Sequence, residues 1–184
     1  MKKVIMILMA VVQFAWAGAQ GVSADKRVSK MSLTASELAR YMAPGINLGN
    51  TMEACDYSNL FTNKAGLDSE TSWQSDKTSE EYIASLKKSG FNSLRIPCGW
   101  VAGHVVDKDK LTIDPAWVRR VREIVDACLR HDLMVIVNHH WDGGWMEHDA
   151  FTDQVDMATR KEQYRKLWTN ISIAFKDYDE RVLF

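Results

Sequence analysis

The 184 residues carry 23 basic and 24 acidic side chains, and 46% of them are hydrophobic. A net charge of −1 gives no electrostatic footprint for phosphate backbones or anionic lipid, which disfavours nucleic-acid and membrane-surface partners. With 3 Pro, 10 Gly and 26% charged residues the balance is that of a globular protein, so disorder and collagen-like repeats are excluded.

Lys2 and Lys3 precede an almost wholly apolar run from Val4 to Trp16, and Ala17-Gly18-Ala19 follows as a small-residue cleavage site. This is the layout of a secretory signal peptide over residues 1–19, cut before Gln20. The run is too short to span a bilayer, which takes about 20 residues, and no Cys stands at the cut to carry a lipid anchor. Residues 20–33 read as a flexible lead-in. Export permits disulfides, but Cys55, Cys98 and Cys128 allow at most one bridge. Cys128 falls on an apolar helix face and reads as core. With no CxxC pair, a zinc or redox motif has no support.

Thr34 and Glu37 have capping-box spacing and open a short helix to about Met42. Pro44-Gly45 breaks it, and Ile46–Asn50 is expected to be a short buried strand. Residues 53–77 are polar and irregular, a long loop of the kind that is functional or disordered. Thr78–Glu81 is a second capping box, opening a helix with Tyr82, Ile83 and Leu86 on one face and Gly90 just past its end. Ser93–Pro97 is the next strand.

Asp114-Pro115 starts a third helix, whose apolar stripe runs through Trp117, Val121, Ile124, Val125 and Cys128. Leu133–Val137 is short, continuous and β-branched, the pattern of a strand buried on both faces. After a loop through His148 and Phe151, a fourth helix spans roughly 156–177, and residues 181–184 begin another strand. Three strand–helix alternations imply α/β architecture with a parallel sheet. An open doubly wound sheet and a (β/α)₈ barrel both fit, and no GxGxxG favours a dinucleotide site.

In such folds chemistry collects at the carboxyl ends of the strands. Those ends offer Asn47, Asn50, Thr51 and Glu53 after the first strand, and Arg95, Trp100 and His104 on and after the second. The third adds Asn138 through Asp142, then Trp145, Glu147 and His148. Indoles beside fixed donors and acceptors suit a sugar site, since aromatic faces stack on pyranose rings. Trp117 and Trp168 lie on helix faces and are assigned to the core. Trp73, Trp100, Trp141 and Trp145 lie in loops and divide between core and cleft. A charge within an apolar strand needs a partner, so a carboxylate is expected beside Arg95. His139 and His140 are adjacent and point to opposite faces of a strand, so no metal site is expected.

Four segments carry a family resemblance: Gly45–Thr51, Glu70–Trp73, Gly90–Pro97 and Val135–Trp145. In this order, with these gaps, the chain from about 34 to 184 resembles the N-terminal part of secreted glycoside hydrolase family 5 endo-β-1,4-glucanases. The resemblance implies a partial (β/α)₈ barrel covering the first three βα units and the start of strand four. It also implies no cofactor, a β-glucan partner, a monomer at full length, and retaining hydrolysis by two glutamates about 5–5.5 Å apart.

Position by position, Arg95 matches the family arginine that would hold the nucleophilic carboxylate ionised. His140 matches the histidine lining the sugar subsite beside it. Asn50, His139, Trp141 and Trp145 fall in the substrate-binding region. The family acid/base belongs to an Asn-Glu-Pro segment ending strand four, and the nucleophile ends strand seven. Neither is matched within these residues, and Glu53, Asp142 and Glu147 match no catalytic position. The chain by itself is therefore expected to be inactive. A non-catalytic carbohydrate-binding protein and a metal-dependent barrel hydrolase are the alternatives.

Overall fold

The computed structural model describes residues 34–55, 66–146 and 156–184. The signal peptide, the lead-in, Glu147, His148 and Phe151 lie outside the described residues. Helix α1 (Ala35–Met42) leads to β1 (Gly45–Asn47). Helix α2 (Glu80–Lys88), strand β2 (Ser93–Cys98), a small hairpin of β3 (Val105–Asp107) and β4 (Thr112–Ile113), and helix α3 (Pro115–Arg130) follow. Strand β5 (Met134–His139), helix α4 (Met157–Ala174) and strand β6 (Val182–Leu183) complete the order.

Local chemistry sets the helix ends. Thr34 and Glu37 close the full capping box on α1. The start of α2 differs from expectation: Ser79, not Thr78, is the N-cap, and its hydroxyl accepts from the Tyr82 amide. At its other end Gly90 takes φ 97°, and the Gly90 and Phe91 amides donate back to Lys87 and Leu86, the paired bonds that close a Schellman motif. Helix α3 is capped by Asp114 with Pro115 in its first turn. It ends in the same motif, but there Asp132 occupies the left-handed position at φ 62°. Helix α4 stops at Ala174, three residues before the expected end at 177, and Phe175 caps it.

The main sheet has the order β1-β2-β5-β6, with every pair parallel. Each new strand adds to the same side, as in a closed barrel, whereas a doubly wound sheet reverses direction. Asn47 lies opposite Arg95, and Cys98 opposite His139, so the functional candidates reach one end of the sheet. Strand β2 is buried at every residue but Arg95, and β5 buries Met134, Val135 and Val137 while Ile136, Asn138 and His139 are half-buried. Strand β1 is shorter and more exposed than expected, because the chain turns away after Asn47 and Asn50 adopts φ 62°.

The core lies between the sheet and the helices, with Leu94, Ile96, Val135 and Val137 meeting Trp117, Val121, Ile124, Val125, Leu167 and Ile171. Trp117 is fully buried, while Trp168 is half-buried against this core. Cys55, Cys98 and Cys128 are buried free thiols. Burial pushes the Cys128 thiol up to about 12, which suits an inert core residue.

The segment read as an irregular loop has structure of its own. Residues Gly66–Thr71 form a 3-10 turn that drives Glu70 into the interior. Among the described residues no helix is long and apolar enough to cross a membrane.

Candidate active site

Arg95 is the third residue of β2, and its side chain reaches to Asn47 at the end of β1 and to His140 just past β5. Its Nη1 donates to Asn47 Oδ1 at 3.3 Å, and its Nη2 lies 3.4 Å from His140 Nδ1. A guanidinium only donates, so His140 accepts through Nδ1 and a neutral ring keeps its proton on Nε2. That leaves Nε2–H as a donor with no partner among the described residues. The expected carboxylate is not there: among the described residues Arg95 meets an amide and an imidazole. They engage two of the guanidinium's five donors, and among the described residues no carboxylate pairs with its charge. The arrangement is suited to receiving a carboxylate or a developing negative charge.

A recess of about 430 Å³ opens beside this cluster, lined by Asn47, Gly49, Thr51, Gln74 and Tyr82 among others. Its size and mixed polar lining match a small-ligand site. Asn50, between the lining residues Gly49 and Thr51, is not itself in the lining and takes φ 62° in a tight turn. The Glu53 carboxylate accepts the amides of Asn50 and Thr51 at 2.7 and 3.0 Å, so Glu53 shapes the loop.

The two histidines separate as strand geometry requires. His140 joins Arg95, while the His139 side chain turns inward and places Nε2 2.9 Å from Asp142 Oδ2. Its ring meets Trp145 and Tyr164 edge-on at 5.9 and 5.5 Å. Trp145 is 4% exposed, with the Arg160 guanidinium 4.9 Å from its ring centre, so in this arrangement it offers a ligand almost no surface. Trp141 is 37% exposed at the same end of the sheet.

Trp100 and His104, placed by sequence at the end of strand two, are core residues instead. Trp100 is fully buried and donates from Nε1 to the Asn138 carbonyl. His104 stacks on Trp117 with centroids 3.8 Å apart, and burial pushes its pKa down to about 4. Trp73 is half-buried and donates to the Cys55 carbonyl.

Two carboxylates that the sequence reading named are buried, which it did not anticipate. Asp142 accepts the amides of Trp100, Val101 and Ala102 at 2.7, 2.9 and 3.0 Å. Burial opposes its ionisation, but His139 and these amides outweigh that, and its pKa is held below the usual range. Glu70 is gripped by Arg120 on α3. The only advance signal was Arg120 itself, a cation flanking the apolar positions Trp117, Val121 and Ile124. Among the described residues no three His, Cys, Asp or Glu side chains are grouped as a metal would need.

Residues 56–184 match the model of the cellulase family, glycosyl hydrolase family 5. Endoglucanase A of Clostridium longisporum is 38% identical over 82% of this chain, and Endoglucanase 1 of Ruminococcus albus is 39% identical over 82%. The aligned parts are 28% and 34% of those proteins, so the chain spans about a third of the length of the curated relatives it matches. A family 5 xyloglucan-specific β-1,4-glucanase from a ruminal metagenomic library, solved in complex with the oligosaccharide XXLG, is 40% identical. It superposes with a TM-score of 0.67 over 80% of this chain and 38% of its own. The Bacteroides ovatus family 5 xyloglucanase, solved with a XXXG heptasaccharide, superposes at 0.73 with 33% identity, over 83% of this chain and 32% of its own. The four parallel strands are thus part of a (β/α)₈ barrel.

Proposed function

Because the chain belongs to glycoside hydrolase family 5, we propose that the full-length protein is a secreted, retaining endo-β-1,4-glucanase. Its substrates are cellulose, mixed-linkage glucan or xyloglucan. The observation that carries this reading is Arg95, whose side chain is held between Asn47 at the end of β1 and His140 just past β5, with no carboxylate partner among the described residues.

A cation there stabilises the ionised nucleophile that a retaining mechanism needs. The spare Nε2–H of His140 is available to donate to the sugar. The recess beside Asn47 and the exposed Trp141 supply a pyranose-sized space and an aromatic face. The two named relatives solved with xyloglucan oligosaccharides favour glucan chains over small glycosides.

Both reacting glutamates belong to segments not matched within these 184 residues, so the chain by itself is inactive. The whole enzyme acts as a monomer and takes no cofactor. The basic, apolar and small-residue layout of residues 1–19 directs export, and the mature protein starts at Gln20.

Reducing-end release from carboxymethyl cellulose, mixed-linkage glucan and xyloglucan by the full-length protein tests the activity. Turnover of at least one, with retention of anomeric configuration, is expected. Absence of turnover on all three, or turnover by the 184-residue chain by itself, overturns the corresponding claim. N-terminal sequencing of secreted protein checks Gln20.

A further inference from the structure

Resting on the glucanase reading above, we infer that Asp142 is a positioning residue whose buried carboxylate holds Trp141 out as a platform for the glucan chain. The carboxylate ties two loops at the mouth. One follows β2 and supplies the amides of Trp100, Val101 and Ala102; the other follows β5 and contains Asp142 itself. Successive backbone amides of this kind form a concavity that attracts anions, and here the chain fills it with its own side chain. His139 Nε2 lies 2.9 Å from Asp142 Oδ2, within ion-pair distance but not aligned as a hydrogen bond, and its ring meets Trp145 and Tyr164 edge-on. A carboxylate with this many partners cannot shift without breaking several of them at once.

The consequence falls on the neighbouring residue. Trp141 has φ 50° and ψ −56°, and the Asp142 amide donates across it to the His140 carbonyl at 2.6 Å. This is a γ-turn with positive φ, a strained conformation that a bulky side chain rarely adopts. It persists because both sides are pinned. The His140 amide donates to the Cys98 carbonyl at 2.9 Å, and the Gly144 amide donates to the Trp141 carbonyl at 3.0 Å. Asp142 anchors the far side through its carboxylate. Strain that is over-determined in this way, on an exposed indole beside the Arg95–His140 pair, marks a functional position.

Gly99 completes the device. A Cβ at Gly99 would stand 3.1 Å from Asp142 Oδ1, so a larger residue there would make the carboxylate or the loop give by a few tenths of an ångström.

The test is a double-mutant cycle in the full-length protein, with mixed-linkage glucan as substrate. Asp142→Asn keeps the shape but removes the charge and one acceptor oxygen. It should raise KM about tenfold, with kcat reduced less than threefold. Trp141→Ala should do the same, and the double variant should be no worse than either, because the two changes remove one interaction. Gly99→Ala, which nudges the carboxylate, should give a smaller KM rise that vanishes in the Trp141→Ala background; it replaces Asp142→Asn if that variant does not fold.

Effects that multiply, or an Asp142→Asn protein with unchanged KM, overturn the positioning role while leaving the glucanase reading intact. A wild-type protein that releases no reducing ends from any β-glucan overturns that reading and this inference with it.

Discussion

Arg120 grips Glu70 with two parallel hydrogen bonds, from Nε to Oε2 at 2.8 Å and from Nη2 to Oε1 at 2.9 Å, and the Glu70 side chain is fully buried. Nη2 also donates to the Thr78 carbonyl at 2.7 Å, and the Thr78 amide donates to Glu70 Oε1 at 2.7 Å. This one pair fastens the long segment before α2 to the flank of α3. Glu70→Gln keeps the volume but removes the buried counter-charge of Arg120 and leaves only the exposed Glu123. Loss of about 3 kcal/mol is expected, as for breaking a buried pair from one side. Urea unfolding of the full-length protein at neutral pH checks it, with Glu123→Gln, which removes only the exposed partner of Arg120, as the near-neutral control.

Acid should weaken the fold through two kinds of group. Burial opposes ionisation of Glu70 and Asp142, but their hydrogen-bond donors prevail and hold both folded pKa values below the unfolded ones. Their contribution is therefore present above the ordinary carboxylate range and is lost as pH falls through the lowered folded values.

His104 acts over a higher window. Its folded pKa is about 4 against 6.5 when free, so between these values the unfolded chain binds the extra proton. Stability falls as pH drops from 6.5 to about 4, by about 3 kcal/mol in all. His104→Phe retains a ring against Trp117 and should flatten that slope between pH 7 and 4.5. A slope equal to wild type in urea titrations would remove His104 from the account.

The two Schellman motifs make a matched pair. Gly90→Ala forces a Cβ into a φ of 97° and should cost about 1 kcal/mol. Asp132→Gly relieves a φ of 62° and keeps the carbonyl that accepts from Lys87, but it removes the long Lys87–Asp132 ion pair at 3.9 Å, so a gain of no more than about 0.5 kcal/mol is expected. Opposite shifts in thermal midpoint are the readout.

Arg95 makes few contacts that hold the fold together, so Arg95→Ala should leave the thermal midpoint within about 2 °C. In the full-length enzyme kcat should fall about a hundredfold or more, as on removal of a key electrostatic stabiliser. Arg95→Lys should recover little, because an ammonium cannot reach Asn47 and His140 together as the planar fork does. Full activity in either variant would end the assignment of Arg95 to the reaction.

The sequence by itself determined whatever depends on neighbours along the chain. Helix starts at Thr34 and Asp114, the stop at Gly90, the strand β5 and the opposite faces of His139 and His140 all follow from spacings of a few residues. So did the clustering of Asn47, Arg95 and His140, because parallel strands deliver their ends to one side. Ser79 displaced Thr78 as a cap, a one-residue choice that local pattern does not fix.

Only the tertiary structure decided which polar groups are buried, and beside what. Glu70 and Arg120 are 50 residues apart in sequence, and Asp142 is 42 from Trp100. No periodicity links such positions. Their pairing arises because a carboxylate leaving water must find donors wherever the packed chain brings them. The same packing sent Trp100, His104 and Trp145 into the interior and left Trp141 at the surface, a division that four loop tryptophans of like composition could not reveal.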